Sequence, residues 1–412
     1  MPTYNNKIGM PMLKKLLDKL PFSDTEKHII RLVLIGCCSV SGLLIMSVIG
    51  IRIFVSTGEQ QAYALTLAPD DLAAHYEQRR GDILPIDVQA HQFQARHYYN
   101  TGNYRKAIEH LLRIYFSKAS DDQVAIDLAS AYLRAGKYRK AYSLFSELME
   151  LQRKDSYDPA IHARYALTKY YLGDEAGSTS ELKKCIAQAP DAPEAYTYLA
   201  QIEATRHLPS PEAETYFEKA IQADPYFSEA RYQQARYLMN IENYKAARDS
   251  LFKLLESNPL HAKAHSRLGM TYYYLLQPEL AKKSLQTALT LNPDDFNARF
   301  NLGELEFTFY HDSAGALHNF RQVIALQPQH PQANFKIGLI CLGNNQAKEA
   351  IKFLERARRN SLQNTRILLL LAVAYEKTSQ PDRALALYHD IMEIDNLNPI
   401  ARQKIKLLSN RS

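Results

Sequence analysis

Few stretches of this 412-residue chain hold residue types at spacings that chemistry uses, and each has a plainer reading. Gly136-Lys137 has the ending of a phosphate loop, but Ala131 stands where such a loop needs its first glycine. A glycine there suits a turn between two helices. His261 and His265 are four apart, which puts two imidazoles on one helical face, yet no neighbouring residues complete a ligand set. They read as packing or surface residues. Gly177-Ser178-Thr179-Ser180 lacks the strand that a nucleophile elbow requires. Arg80-Gly81-Asp82 matches an adhesion tripeptide and reads as coincidence. Cys37 and Cys38 lie in an apolar run, while Cys185 and Cys341 sit too far apart in the chain's repeat pattern to form a disulfide. None has metal-site spacing, and all four read as small apolar fillers. Nothing supports nucleophilic, acid–base or metal catalysis, so a non-enzyme with no cofactor and no metal is expected.

The chain must therefore be understood through its elements. A unit of about 34 residues recurs about nine times over residues 88–398. Pro190, Pro225, Pro259, Pro293 and Pro328 mark it, at spacings of 35, 34, 34 and 35. A fixed period of this length implies a solenoid in which each unit touches only its neighbours. Alignment on the prolines gives units at 88–121, 122–155, 159–192, 193–227, 228–261, 262–295, 296–330, 331–364 and 365–398. Each unit reads as two helices joined by a short turn.

The eighth position is always small: Ala95, Ala129, Ala166, Ala200, Ala235, Gly269, Gly303, Gly338 and Ala372. The twentieth is small too, from Ala107 and Ala141 through Ala281 to Ala384. Two antiparallel helices meeting at these sites would be forced apart by larger side chains. The twenty-fourth is large and apolar, from Leu111 and Phe145 to Tyr388, and is expected to fill the seam with the next unit. The prolines end the second helix.

Leu268-Gly269, Tyr272, Ala281, Leu285, Ala288 and Pro293 make the sixth unit the clearest, and this pattern closely resembles the tetratricopeptide repeat family over about three quarters of the chain. The family's tryptophan at position four has no counterpart, since the chain has no Trp, and the marker proline is missing from units one, two, eight and nine. The resemblance implies an all-α protein, a right-handed α-solenoid of about nine helix hairpins. It also implies that positions 2, 5, 6, 9 and 12 face a concave, partner-binding surface. Those positions include Arg96, Tyr99, Arg164, Tyr170, Tyr198, Tyr232, Arg236, Arg267, Tyr273, Phe300 and Phe335. Tyrosine and arginine suit recognition of protein or peptide partners, because they dominate interface hot spots; tyrosine is also a common packing residue between such helices. Some family members clamp a C-terminal carboxylate. Lys263 and Arg267 match the end of that motif, but Thr197, Gln201 and Gln233 replace its earlier residues. No clamp is expected, and Lys263 and Arg267 read as plain surface charges.

Residues 32–51 are uncharged and bracketed by Arg31 and Arg52. Twenty helical residues span a hydrocarbon layer of about 30 Å. Ser23-Asp24-Thr25-Glu26 forms a capping box ahead of them. The run is longer than a signal peptide's apolar region, with no small-residue cleavage site close behind. Leu34-Ile35-Gly36-Cys37 resembles a lipoprotein processing site, but the apolar run continues past it. An uncleaved anchor over residues 24–55 is the favoured reading. Six of the 50 Lys/Arg lie in the first 31 residues, against Asp18, Asp24 and Glu26, whereas only Arg52 follows the span before Arg79. The positive-inside rule then makes residues 1–23 a cytoplasmic basic tail, with a short amphipathic helix through Leu13, Leu16, Leu17 and Leu20. The repeats lie across the membrane, in the periplasm if the cell is a Gram-negative bacterium. Residues 56–87 read as a linker or N-terminal capping helices, and residues 399–412 as a C-terminal capping helix and tail. The net charge of +6 falls to +3 outside the first 31 residues, which leaves no footprint for nucleic acid.

These features make the chain a membrane-anchored scaffold for protein or peptide partners. Assembly of an envelope complex, such as a pilus, a secretion system or a polysaccharide exporter, is the setting suggested by family analogy. One alternative reverses the side and makes it a cytosol-facing import or chaperone receptor. Another makes it a non-catalytic substrate-recognition subunit of an enzyme complex.

Overall fold

The computed structural model describes residues 88–117, 121–151, 157–359 and 361–409, all within one unit spanning Arg79–Ser412. The expected tail at 1–23, the expected anchor at 24–55, the segment at 56–87 and the Arg80-Gly81-Asp82 tripeptide lie outside the described residues. Among the described helices, none is long and apolar enough to cross a membrane.

Nineteen helices follow one another in hairpins, with no strand among the described residues. Unit one holds α1 (Val88–Asn100) and α2 (Tyr104–Tyr115), and unit two holds α3 (Asp122–Arg134) and α4 (Tyr138–Leu151). Unit three has α5 (Pro159–Tyr171) and α6 (Glu175–Gln188); unit four has α7 (Pro193–Arg206) and α8 (Pro211–Ala223). Units five and six comprise α9 (Ser228–Asn240), α10 (Tyr244–Ser257), α11 (Ala262–Tyr274) and α12 (Pro278–Leu291). Units seven and eight comprise α13 (Phe296–Thr308), α14 (Ser313–Leu326), α15 (Pro331–Gly343) and α16 (Ala347–Arg359). Unit nine has α17 (Thr365–Lys377) and α18 (Pro381–Ile394), and α19 (Pro399–Ser409) closes the array.

Local chemistry sets these boundaries. Asp121, Asp158, Asp295 and Asn364 accept backbone N–H bonds at the starts of α3, α5, α13 and α17. The second helices end two residues before Pro190, Pro225, Pro259, Pro293 and Pro328. The turn inside eight of the nine hairpins, all but that of unit four, carries one left-handed residue. Gly102, Gly136 and Gly173 supply it in the first three units, and Glu242, Leu276, His311, Asn345 and Ser379 in the last five. Gly136-Lys137 is therefore the turn between α3 and α4, where the Lys137 N–H returns to the Tyr132 carbonyl at 2.9 Å. Gly177 to Ser180 lie inside α6.

The core is a chain of small clusters. In units six, seven and eight, a Cβ added at Gly269, Gly303 or Gly338 would lie 2.6, 2.8 or 2.6 Å from Leu285, Phe320 or Leu354. The large residue thus packs first on the small position of its own hairpin, a closer partner than the seam expected from sequence. First helices of successive units touch one another, as α7 does α5 and α9, and they crowd onto one side while the second helices lie outside. That crowding curves the array. Cys185 and Cys341 are free and buried, and the Cys185 thiol donates to the Pro159 carbonyl oxygen at 3.3 Å, so it is not a purely apolar filler.

Curvature produces one departure from the expectation that units touch only their neighbours. The turn of unit one meets the junction of units six and seven, and the end of α3 meets the start of α9. The rotation accumulated from unit to unit returns the chain to itself.

Candidate functional site

The inner face of the array encloses a groove of about 740 Å³. One wall comes from units one to three, through Tyr104, Arg134, Tyr138 and Tyr171. The facing wall comes from units five to eight, including Glu229, Tyr232, Lys263, Arg267, Phe300 and Gln332.

Arg134, in the last turn of α3, donates to Glu229, in the first turn of α9, at 2.5 Å. Glu229 also accepts from the Gln233 amide at 2.7 Å, and Arg236 donates to the Gln233 carbonyl oxygen at 2.8 Å. Burial alone would raise the Glu229 pKa, but the Arg134 charge and the Gln233 hydrogen bond outweigh it and hold the carboxyl below its usual value. Burial likewise opposes the Arg134 charge, and Glu229 with the nearby tyrosines carries its pKa well above the ordinary guanidinium value.

Lys263 opens α11 and sends its ammonium over the Tyr104 ring, 4.3 Å from the centroid. Its stem lies against Gly102, where an added Cβ would sit 3.3 Å from two of its carbons. Burial, and then the Arg134 charge, depress its pKa to about 8. Lys263 was read from sequence as a plain surface charge; the winding of the array, which brings unit one against α11, makes it a half-buried wall residue instead. Burial also pushes the Tyr104 hydroxyl up, beyond the normal phenol range. Arg236, Lys263 and Arg267 have no carboxylate within ion-pair distance among the described residues, although Glu229 and Asp295 of the same wall act on Lys263 from farther off.

Two tyrosine pairs stack face to face: Tyr138 on Tyr171 at 4.5 Å and Tyr244 on Tyr274 at 4.7 Å. Each joins position 17 of one unit to position 13 of the next, so each staples two hairpins, and all four tyrosines line the groove. His261 caps α11 by accepting from the Ala264 N–H at 3.0 Å, and burial lowers its pKa to about 4. His265 meets the Pro259 carbonyl at 2.9 Å. Both histidines thus serve the local turn.

Of the residues expected from sequence, Tyr232, Arg236, Arg267, Tyr273 and Phe300 line the groove together. The other six do not. Arg96 is exposed on α1, and Tyr99 packs edge-on against Tyr104 at 5.4 Å. Arg164 reaches Glu194 at 3.4 Å, and the Tyr170 hydroxyl bonds to Thr205 at 2.8 Å. Tyr198 is 1% exposed, and Phe335 lies beneath the Arg366 guanidinium. Sequence reasoning missed Tyr104, Arg134, Glu229 and the stacked pairs. The pairs leave a signal, aromatic residues at positions 17 and 13 of consecutive units. The Arg134–Glu229 contact spans 95 residues and leaves none.

Comparison with known proteins agrees with this architecture. The tetratricopeptide repeat profile matches residues 262–295, and a second profile of the same repeat matches residues 94–159, 232–273 and 311–364. Human protein O-mannosyl-transferase TMTC3 is 23% identical over 212 residues, covering 50% of this chain but only 23% of that relative's length. Among solved structures, the APC/C hetero-tetramer Cut9-Hcn1 superimposes with a TM-score of 0.53 at 16% identity, over 78% of this chain and 68% of that one, a likeness of fold. The pilF protein of Pseudomonas aeruginosa is similar at 20% identity and a TM-score of 0.48, over 54% of this chain and 99% of that one. Helical hairpins, small-residue contacts and repeat profiles agree that this chain carries tetratricopeptide repeats.

Proposed function

We propose that this chain is a non-catalytic scaffold that holds protein or peptide partners in its inner groove. Residues 32–51 would tether it to a membrane, with the repeats on the side opposite the basic tail. Tetratricopeptide repeats in general mediate protein–protein interaction and peptide binding. The observation that carries the reading here is the groove itself: about 740 Å³ of space walled by tyrosines, arginines and amide side chains. Aromatic and arginine side chains supply most interface hot spots. The charge asymmetry about residues 32–51 supports an extracytoplasmic array, and a role in assembling a cell-envelope complex is the setting that family analogy suggests.

Photo-crosslinking in cells tests the groove. A benzophenone amino acid replacing Tyr232 or Phe300 should trap a discrete partner, whereas the same group at Lys253, exposed on α10, should not. Equal trapping at all three positions would end the reading. A C-terminal alkaline phosphatase fusion tests the side: activity is expected, and an inactive but intact fusion would favour the cytosol-facing receptor.

A further inference from the structure

We propose that α19 is a membrane contact in its own right, whose outward edge rests on a bilayer surface carrying anionic lipid headgroups. The contact lies outside the groove and goes beyond the partner-holding role proposed above.

Only one side of α19 seals the array. Ala401 is fully buried, and Ile405 and Leu408 pack on the cluster formed by α14 to α18. A helix that did no more than shield α18 would turn polar residues outward. Instead Ile400 and Leu407, two turns apart on one edge, are 50% and 49% exposed. Ile394 at the end of α18 and Leu397 in the following turn are 42% and 75% exposed.

Charge marks the same end of the chain. From Asn396 to Ser412 there are four basic residues and no acidic one. Arg402 and Lys406 are exposed on α19, on the side away from Ala401 and Ile405. Arg402 donates to the Asn396 carbonyl at 2.9 Å, and Lys404 is paired with Glu376 at 2.8 Å. Of the two acidic residues just upstream, Asp395 is engaged in the turn, accepting from the Leu397 N–H and the Asn398 amide. Glu393 is exposed on α18.

These features favour one occupant. A second copy would set like charges against each other. A protein partner is usually gripped by tyrosine, tryptophan or arginine, and leucine is under-represented among such hot spots. The exposed apolar residues of this edge are leucines and isoleucines. Leucine beside lysine and arginine is what the headgroup region of a bilayer takes up: the apolar edge sinks, and each cation near the surface adds attraction to anionic lipid. The tether proposed above would keep such a surface within reach, but the contact does not require it.

The test uses the full chain with its four native cysteines replaced by alanine, reconstituted in vesicles. A bimane label at Gln403→Cys, between Ile400 and Leu407, reports the edge. A label at Lys253→Cys, exposed on α10, is the control. In vesicles containing phosphatidylglycerol, nitroxides on the lipid acyl chains should quench the Gln403 label about tenfold more than the control. In pure phosphatidylcholine, or with Arg402→Glu and Lys406→Glu together, that excess should vanish. Ile400→Ser with Leu407→Ser should reduce it as well. Arg402→Lys with Lys406→Arg should preserve it, which separates lost charge from misfolding, and circular dichroism checks the fold of every variant. Equal quenching at the two labels, or an excess that ignores lipid charge, overturns the proposal. So does a blue shift at Gln403 that grows with protein concentration in detergent, which would assign the edge to a second copy. A shift produced by polyglutamate but not by vesicles would assign it to an acidic protein instead. None of these changes touches the groove, so trapping at Tyr232 stands or falls separately.

Discussion

Replacing Glu229 with glutamine should weaken the contact between α3 and α9 by an amount that the geometry bounds. The change keeps the side chain's shape and removes its charge, leaving Arg134 without a counter-ion. Two unit charges about 4 Å apart attract by about 4 kcal/mol at an effective dielectric near 20. Stripping one partner from a buried pair costs about 3–5 kcal/mol. Arg134 and Glu229 keep 21% and 15% of their side-chain exposure, so the orphaned guanidinium partly rehydrates and the expected loss is about 2 kcal/mol. Hydrogen exchange by mass spectrometry suits a solenoid better than a global melt, because its units open locally. A 2 kcal/mol loss corresponds to roughly thirtyfold faster exchange. That acceleration should appear in α3 and α9, although 95 residues separate the two side chains, and not in α17. Arg134→Gln should reproduce it, and the double variant should cost much less than the sum of the two. Acceleration of less than threefold in α3 and α9, or an equal effect in α17, would show that the walls are not joined in solution.

The same contact should fail in acid. Because the folded-state pKa of Glu229 is depressed, its contribution is complete above the ordinary glutamate value and disappears as pH falls through the folded value, which protection of α3 and α9 between pH 6 and 3 would reveal. Lys263→Met should raise the melting temperature at pH 7. The native ammonium, depressed to about 8, penalises the fold at lower pH, and removing it should gain about 1–2 kcal/mol after loss of the Tyr104 contact. The native chain should also gain stability from pH 8 to 10.5 relative to this variant, since the unfolded lysine still holds its proton there. Gly269→Ala should destabilise by about 1 kcal/mol in urea titrations, because overpacking against Leu285 exceeds the gain in helix propensity. Leu276→Gly should raise stability by about 1 kcal/mol by relieving a left-handed residue at φ 57° whose side chain is 74% exposed.

The helices were legible because each rests on a local, recurring demand. A small residue at position eight and a large one at position twenty-four are contacts within one hairpin, as Gly269 with Leu285 and Gly338 with Leu354 show, so the period displays them openly. Proline at position 32 ends a helix by its own covalent geometry. The groove was only half legible. Facing positions on first helices found Tyr232, Arg236, Arg267, Tyr273 and Phe300, but that rule treats every unit alike. It assigned Tyr198 to the surface, where the structure buries it, and passed over Arg134 at position 13. Those differences arise from how far each hairpin rotates on the last. Rotation accumulates from many slight side-chain differences and has no motif, so Tyr104 gives no hint in sequence that its neighbour is Lys263.

The meeting of unit one with units six and seven also bears on how such a chain can change over generations. An open array tolerates duplication or deletion of a module, because each new module rests on the last. Here an added module between α3 and α9 would carry Glu229 beyond the reach of Arg134 and Asp294 away from Lys106. The number of modules in that stretch is therefore fixed by geometry, and length variation in descendants of this chain should fall after α13, where no such closure constrains the count.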